Sequence, residues 1–212
     1  MNTVKIVEVL KKIAAKIEEE KEFLTELDSP IGDSDHGINM ARGFAMVSQK
    51  LDAVNTEDTG DILRNTGMAL VSTVGGSSGP LYGTAFMKMG MALKGKAEVS
   101  VPEFLQAFEA GIEGIKARGK STTGEKTMLD AMVPALDAMK AEWENSEDKG
   151  KTFAAGVKAA QKGVEYTKTI VATKGRASYV GERSIGHQDP GATRSEERRV
   201  GKECRSRWSP YH

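Results

Sequence analysis

Cysteine is almost missing from this 212-residue chain, the one example being Cys204 near the C-terminus. No disulfide framework and no cysteine-ligated zinc site can therefore be built within residues 1–193. Long apolar runs are missing too. The opening MNTVKIVEVLKKIAAKIEEEKEF is amphipathic and charged throughout, without the apolar core of a signal peptide. No stretch approaches the roughly 18 apolar residues of a membrane span, so the expectation is a cytoplasmic protein with no membrane association. Alternating strand-length runs and hairpin dipeptides between β-branched segments are lacking, which argues against a sheet. There is no Walker lysine, no GxGxxG behind a strand and no protein-kinase catalytic loop. A nucleotide site in this chain must belong to some other class.

A strong charge of either sign is also lacking: Lys and Arg number 30, Asp and Glu 30. The balance is uneven along the chain. From Arg194 the sequence runs RSEERRVGKECRSRWSPYH, unlike the regular helical texture before it. It reads as a frame through a sequencing-library adapter (AGA-TCG-GAA-GAG-CGT-CGT-GTA-GGG and onward). Residues 194–212 are thus expected to be an artefactual, non-native tail, and residues 1–193 the domain. A natural basic tail for nucleic acid or membrane is the alternative. Without the tail's six basic and three acidic residues, 24 basic face 27 acidic, a net charge of −3. That mildly acidic surface gives no support for nucleic-acid binding.

What is present is helical periodicity. Ile6, Leu10, Ile13, Ile17, Leu24 and Leu27 recur at three- and four-residue steps and predict one long first helix. Further helices are predicted at about 38–51, 61–74, 81–93, 101–117, 126–144 and 151–173. Ser100-Val101-Pro102-Glu103 is a capping box with proline in the first turn, which opens the fifth. The ten methionines are expected to be mostly core filler.

Chemistry gathers between the helices. Asp28, Asp33 and Asp35 fall in one short stretch with His36, punctuated by Pro30, Gly32 and Gly37. Three carboxylates so close repel one another unless a cation neutralises them, and hard divalent cations want several carboxylate oxygens at once. A solvated acidic loop is the bland alternative. An EF-hand is excluded: counted from Asp33, its sixth and twelfth positions hold Ile38 and Phe44 instead of Gly and Glu.

Three other loops have unusual composition. Residues 75–80 read GGSSGP before a helix, so free N–H groups and two hydroxyls would suit a phosphate. Residues 118–127 mix cations, hydroxyls and glycines, fit for clamping a base or ribose or for a solvated turn. Residues 174–191 contain Arg176, His187 and the pair Asp189-Pro190, which has the signature of an N-cap followed by proline. These loops follow alternate helices. In an up-and-down array they fall at one pole, together with the acidic loop.

The segments IGDSDHGINM (31–40), RGF (42–44), GGSSGPLYGT (75–84), RGK (118–120), KTM (126–128) and KGRASYVGERSIGHQDPG (174–191) resemble the nucleotide-binding L subunit of bacterial dihydroxyacetone kinases. The resemblance spans essentially residues 1–193. It implies an all-α barrel of eight antiparallel amphipathic helices with the nucleotide at one end. It implies two Mg2+ ions on Asp28, Asp33 and Asp35. It further implies that ADP, as a bound coenzyme, contacts His36, Gly37, Ile38, Asn39, Ser77, Ser78, Gly119, Met128, Arg176, Asp189, Pro190 and Gly191.

In the phosphotransferase form the L subunit takes a phosphoryl group from a phosphohistidine of the M subunit. The ATP so formed passes it to dihydroxyacetone held on the K subunit. In the ATP-dependent glycerone kinase the same domain follows a K domain in one chain. The start at Met1 favours the first form as an expectation. A regulatory module binding a transcription activator is the competitor from another class. No nucleophile or general base is required of the chain, because phosphoryl transfer asks mainly for alignment and charge neutralisation. Arg176 is the candidate stabiliser of phosphate charge. The tail puts the eighth helix in doubt, since only residues 190–193 can be its start.

Overall fold

The computed structural model describes residues 1–193, and these are helical with no strand among them. The order is α1 (Thr3–Glu19), α2 (Lys21–Asp28), α3 (His36–Asp52), α4 (Thr59–Thr73), α5 (Ser78–Ala92), α6 (Val101–Gly119), α7 (Leu129–Ser146) and α8 (Lys149–Thr167). A 3-10 helix at Arg176–Ser184 and a short α9 (Pro190–Thr193) complete it. Each helix packs on its sequence neighbour, and α9 touches α2, α7 and α8, joining the first and last parts of the array. The continuation of that last helix and the tail expected at 194–212 lie outside the described residues. No helix among the described residues is long and apolar enough to cross a membrane.

Local chemistry accounts for several starts. Asn2 caps α1 by accepting the Lys5 N–H at 3.0 Å, and Asp148 caps α8 through the Lys151 N–H at 2.8 Å. The capping box expected at Ser100 is present in full, with the Glu103 carboxylate accepting the Ser100 N–H at 2.8 Å. Ser100→Ala should cost about 1 kcal/mol, measured as a lower urea midpoint at unchanged slope.

Several boundaries differ from the periodicity, among them the start of the fourth helix, at Ser78 instead of 81. The expected first helix is two, broken at Glu20, which closes α1 and precedes α2; Lys16 and Lys21 pair with the glutamates at 18–20 around the break. The second begins at His36, not near 38, so residues 36–39 form its first turn. The sixth begins at Leu129 because Asp130 draws the preceding residues into a loop, accepting the Thr127 N–H at 2.8 Å. The seventh ends at Thr167 instead of 173, where a distant lysine, Lys126, takes up the terminal carbonyl. The methionines are mostly core, as expected: Met40, Met128, Met132 and Met139 are buried and Met46 and Met89 pack against the core, whereas Met1, Met68 and Met91 are exposed.

The core runs along the array, with Met40, Phe44, Ile62, Leu70, Ile112 and Leu129 almost wholly excluded from water. Two glycine pairs bring α4 and α5 unusually close. A Cβ on Gly67 would lie 2.5 Å from the Gly83 carbonyl oxygen, and one on Gly60 2.5 Å from that of Gly90. A separate small cluster of Ile31, Ala172 and Ala177 fastens the acidic loop to the first turn of the 3-10 helix and the segment before it. That plug sets Arg176 beside the carboxylates.

Candidate functional site

The connections after α2, α4, α6 and α8 meet at one end and enclose a cavity of about 820 Å³. Its lining draws on all four loops that the sequence singled out, so the expected pole exists. Helix alternation produces it: each of these connections follows a helix running in the same direction.

The acidic loop is built around Asp28. This buried carboxylate, at the end of α2, accepts the N–H groups of Asp35 at 3.1 Å and His36 at 3.3 Å. The loop therefore wraps back and aims Asp33 and Asp35 at the same point. Gly32 is required by the close approach, because a Cβ there would sit 1.9 Å from the Asp28 carboxylate. Ligand oxygens of Asp28, Asp33 and Asp35 all lie within 4.8 Å of one another. Burial pushes the Asp28 carboxyl up from its ordinary range, and the neighbouring Asp33 and Asp35 add to this against the two N–H bonds. A set of three carboxylates is the hard-oxygen donor chemistry that Mg2+ takes, so the residues present fit the expected metal. The Arg176 guanidinium reaches Asp33 at 2.9 Å.

Ser77 and Ser78 stand at the start of α5, with the Ser78 hydroxyl 3.4 Å from Nδ1 of His36. Asn39 also lines the cavity, and its side-chain oxygen accepts from Arg42 at 2.8 Å. Gly119, Met128, Asp189, Pro190 and Gly191 also line the cavity, and Leu81, Ile115 and Met128 give it apolar surface. Asp189 caps α9 as its spacing with Pro190 suggested, accepting the Ala192 N–H at 2.7 Å. Burial pushes its carboxyl up to about 7, moderated by that N–H and by Lys126.

Two expected contacts do not line the cavity. Gly37 is buried against α2, where a Cβ would meet the Lys21 carbonyl oxygen at 2.0 Å, and Ile38 points into solvent. Lys126 lies inside one of the resembling segments and had no role expected of it. It is 1% exposed and faces backbone carbonyls from two parts of the 167–187 stretch. Its positive φ of 60° is the only local sign, and the sequence does not display it.

An all-helical domain with a metal-competent carboxylate trio and a mixed polar and apolar cavity at one pole is the class these features define. The chain belongs to the DAK2 domain family, whose model matches residues 30–196. It is 47% identical over 174 residues to the PEP-dependent dihydroxyacetone kinase ADP-binding subunit DhaL of Escherichia coli K12, covering 82% of this chain and 83% of that one. It is 42% identical to the PTS-dependent ADP-binding subunit DhaL of Lactococcus lactis, covering 89% and 90%. The dihydroxyacetone kinase crystal structure from C. freundii superposes with a TM-score of 0.72 at 25% identity, over 92% of this chain and 33% of that one. The all-α fold expected from the sequence agrees with that likeness. A second structure of that kinase, in complex with AMP-PNP and Mg2+, matches at 24% identity and a TM-score of 0.71.

Proposed function

We propose that the chain is the ADP-binding subunit of a dihydroxyacetone kinase of the phosphotransferase type, with residues 1–193 as its working domain. The observation that carries this reading is the shared cavity: the Asp28, Asp33 and Asp35 carboxylates, a serine pair at a helix start and Arg176 face a single space. Identity supports it, being 42–47% with the separate ADP-binding subunits and 31% with the triokinase/FMN cyclase of Homo sapiens, of which the chain covers 32%. ADP would lie with its phosphates toward the acidic loop and residues 77–78, and its base toward Leu81, Ile115 and Met128. Asp28, Asp33 and Asp35 would hold Mg2+, two ions in the fullest form of the reading. The metal would neutralise phosphate oxygens and keep them in line.

The chain's own groups orient rather than react. Backbone N–H groups at the start of α5 and the hydroxyls of Ser77 and Ser78 can donate to phosphate oxygens. Arg176, 68% exposed along its side chain, can turn from Asp33 toward the phosphate that arrives or leaves. In the relay, a phosphohistidine of the M subunit would donate to ADP, and dihydroxyacetone on the K subunit would receive from the ATP formed. Neither transfer needs a nucleophile from this chain, and none of its residues is assigned one.

Mass spectrometry of gently purified protein should find ADP and magnesium bound, and calorimetry on stripped protein should show ADP binding that requires Mg2+. A stripped chain that ignores ADP at saturating Mg2+ sinks the reading. Rapid exchange of the bound nucleotide with ATP in solution would instead mark the ATP-dependent form.

A further inference from the structure

We propose that Lys126 is a positioning residue of the nucleotide site: its ammonium group ties the segment bearing Arg176 and residues 189–191 to the wall formed by residues 119–128. The proposal rests on reading the cavity as a nucleotide site. Lys126 lines that cavity, and a lysine in such a place would ordinarily be taken for a phosphate ligand. Its hydrogen bonds say otherwise. Nζ donates to the carbonyl oxygens of Thr167, His187 (2.5 Å) and Ile170 (3.4 Å). An ammonium has three N–H donors and no acceptor, so these three carbonyls engage it completely. Nothing is left to offer a phosphate.

The acceptors are informative because of where they come from. Thr167 ends α8, Ile170 follows in the next turn, and His187 stands two residues before Asp189. Lys126 therefore clips both ends of the 168–189 excursion at one point. The Thr167 hydroxyl adds a second clip by accepting the Asp189 N–H at 3.0 Å. Between the ends, the Thr173 N–H reaches the Glu125 carbonyl oxygen at 3.3 Å, beside Lys126 in the chain. The excursion carries Arg176 at its far side and delivers Asp189, Pro190 and Gly191 to the cavity at its close.

Lys126 also adopts φ 60°, a conformation uncommon for a side chain with a Cβ. Such backbone is retained where the surroundings over-determine it. Burial lowers the ammonium's proton affinity, opposed by Asp189 and Asp130. The three carbonyls favour the charged form, so the group serves as a fixed internal cation.

The test compares Mg2+-dependent ADP affinity and melting temperature for the parent chain, Lys126→Met and Lys126→Ala. Methionine keeps the volume without the donors. Both variants should fold, melt lower and bind ADP about ten- to a hundredfold more weakly, the range for groups that orient direct ligands. Propylammonium, which replaces the deleted stem and its N–H donors, should restore ADP binding to Lys126→Ala. Tetramethylammonium, with the charge but no donor, should not. Parent-like affinity in Lys126→Met overturns the proposal, as does a loss in Lys126→Ala that propylammonium leaves unrepaired. Failure of both variants to fold also overturns it, by making Lys126 a requirement of the fold. A parent chain that binds no ADP refutes the nucleotide reading itself.

Discussion

The double variant Asp33→Asn/Asp35→Asn is expected to lose Mg2+-dependent ADP affinity by at least about a hundredfold while melting within about 2 °C of the parent chain. The two halves have separate causes. Each exposed carboxylate offers a charge-assisted contact to a cation, worth about 1.5–3 kcal/mol, and two such losses multiply to a hundredfold or more. Stability is nearly indifferent for the opposite reason. The Asp33–Arg176 pair is exposed, and pairs of that kind contribute about 0–1 kcal/mol. Against that loss stands relief from crowding. Unit charges about 5 Å apart repel by about 1 kcal/mol even in water, and the three carboxylates lie within 4.8 Å. Asp28 is left alone in this design because its carboxylate also holds the loop, through the N–H groups of Asp35 and His36. Calorimetry with and without chelator, beside a thermal melt, reads both halves. Unchanged ADP affinity would remove the carboxylates from the binding site.

The acidic loop was legible because its signal is local: three aspartates, a proline and two glycines in sequence leave few other chemistries. Most of the helices were legible for the same reason, since a stripe such as Ile6, Leu10 and Ile17 is a property of one segment. The pole follows from loop alternation alone. What escaped depends on partners far away in the chain. Periodicity through Val164 gave no reason to stop at Thr167, because the stop is made by Lys126, 41 residues earlier. The α1–α2 break at Glu20 was hidden by apolar residues that keep helical spacing across it. Gly37 and Ile38 came with a contiguous motif, yet a helix turns each residue to a different side, so only His36 and Asn39 of that run reach the cavity. Contiguity in a motif is therefore a weaker guide to contact than position on the helix.

Glycine carried a second message that composition alone could not deliver. The spacing of seven between Gly60 and Gly67, and again between Gly83 and Gly90, acquires meaning only when α4 and α5 run antiparallel and the pairs face each other. Since α4 ends beside the glycine–serine turn and α5 begins with Ser78, the closeness of these helices also fixes where that turn sits. Packing far from the cavity and the placement of its hydroxyls are one property.

Gly67→Val should therefore lower stability by about 3–5 kcal/mol, a loss of about 10 °C in melting temperature for a domain of this size. The nearest obstacle is backbone, so turning the Met87 side chain away does not relieve it. A Cβ at residue 67 would lie 2.5 Å from the Gly83 carbonyl oxygen and 2.9 Å from the Met87 backbone nitrogen. Ordinary contact begins near 3.4 Å, so the helices must part by close to an ångström, and dispersion contacts weaken along the whole interface. Valine adds two methyl groups to that intrusion. Gly150→Ala is the internal control. Gly150 lies in the first turn of α8, where a Cβ would meet only the Asp148 carboxylate oxygen at 3.2 Å. That end of a side chain can shift, and the gain in helix propensity is about 0.5–1 kcal/mol, so this variant should melt as the parent does or slightly higher. Parting α4 from α5 also displaces Ser77 and Ser78, and ADP affinity of the folded Gly67→Val protein should fall with its stability. A Gly67→Val chain that matches the Gly150→Ala control in urea midpoint would show that the α4–α5 contact is looser than the 2.5 Å approach implies.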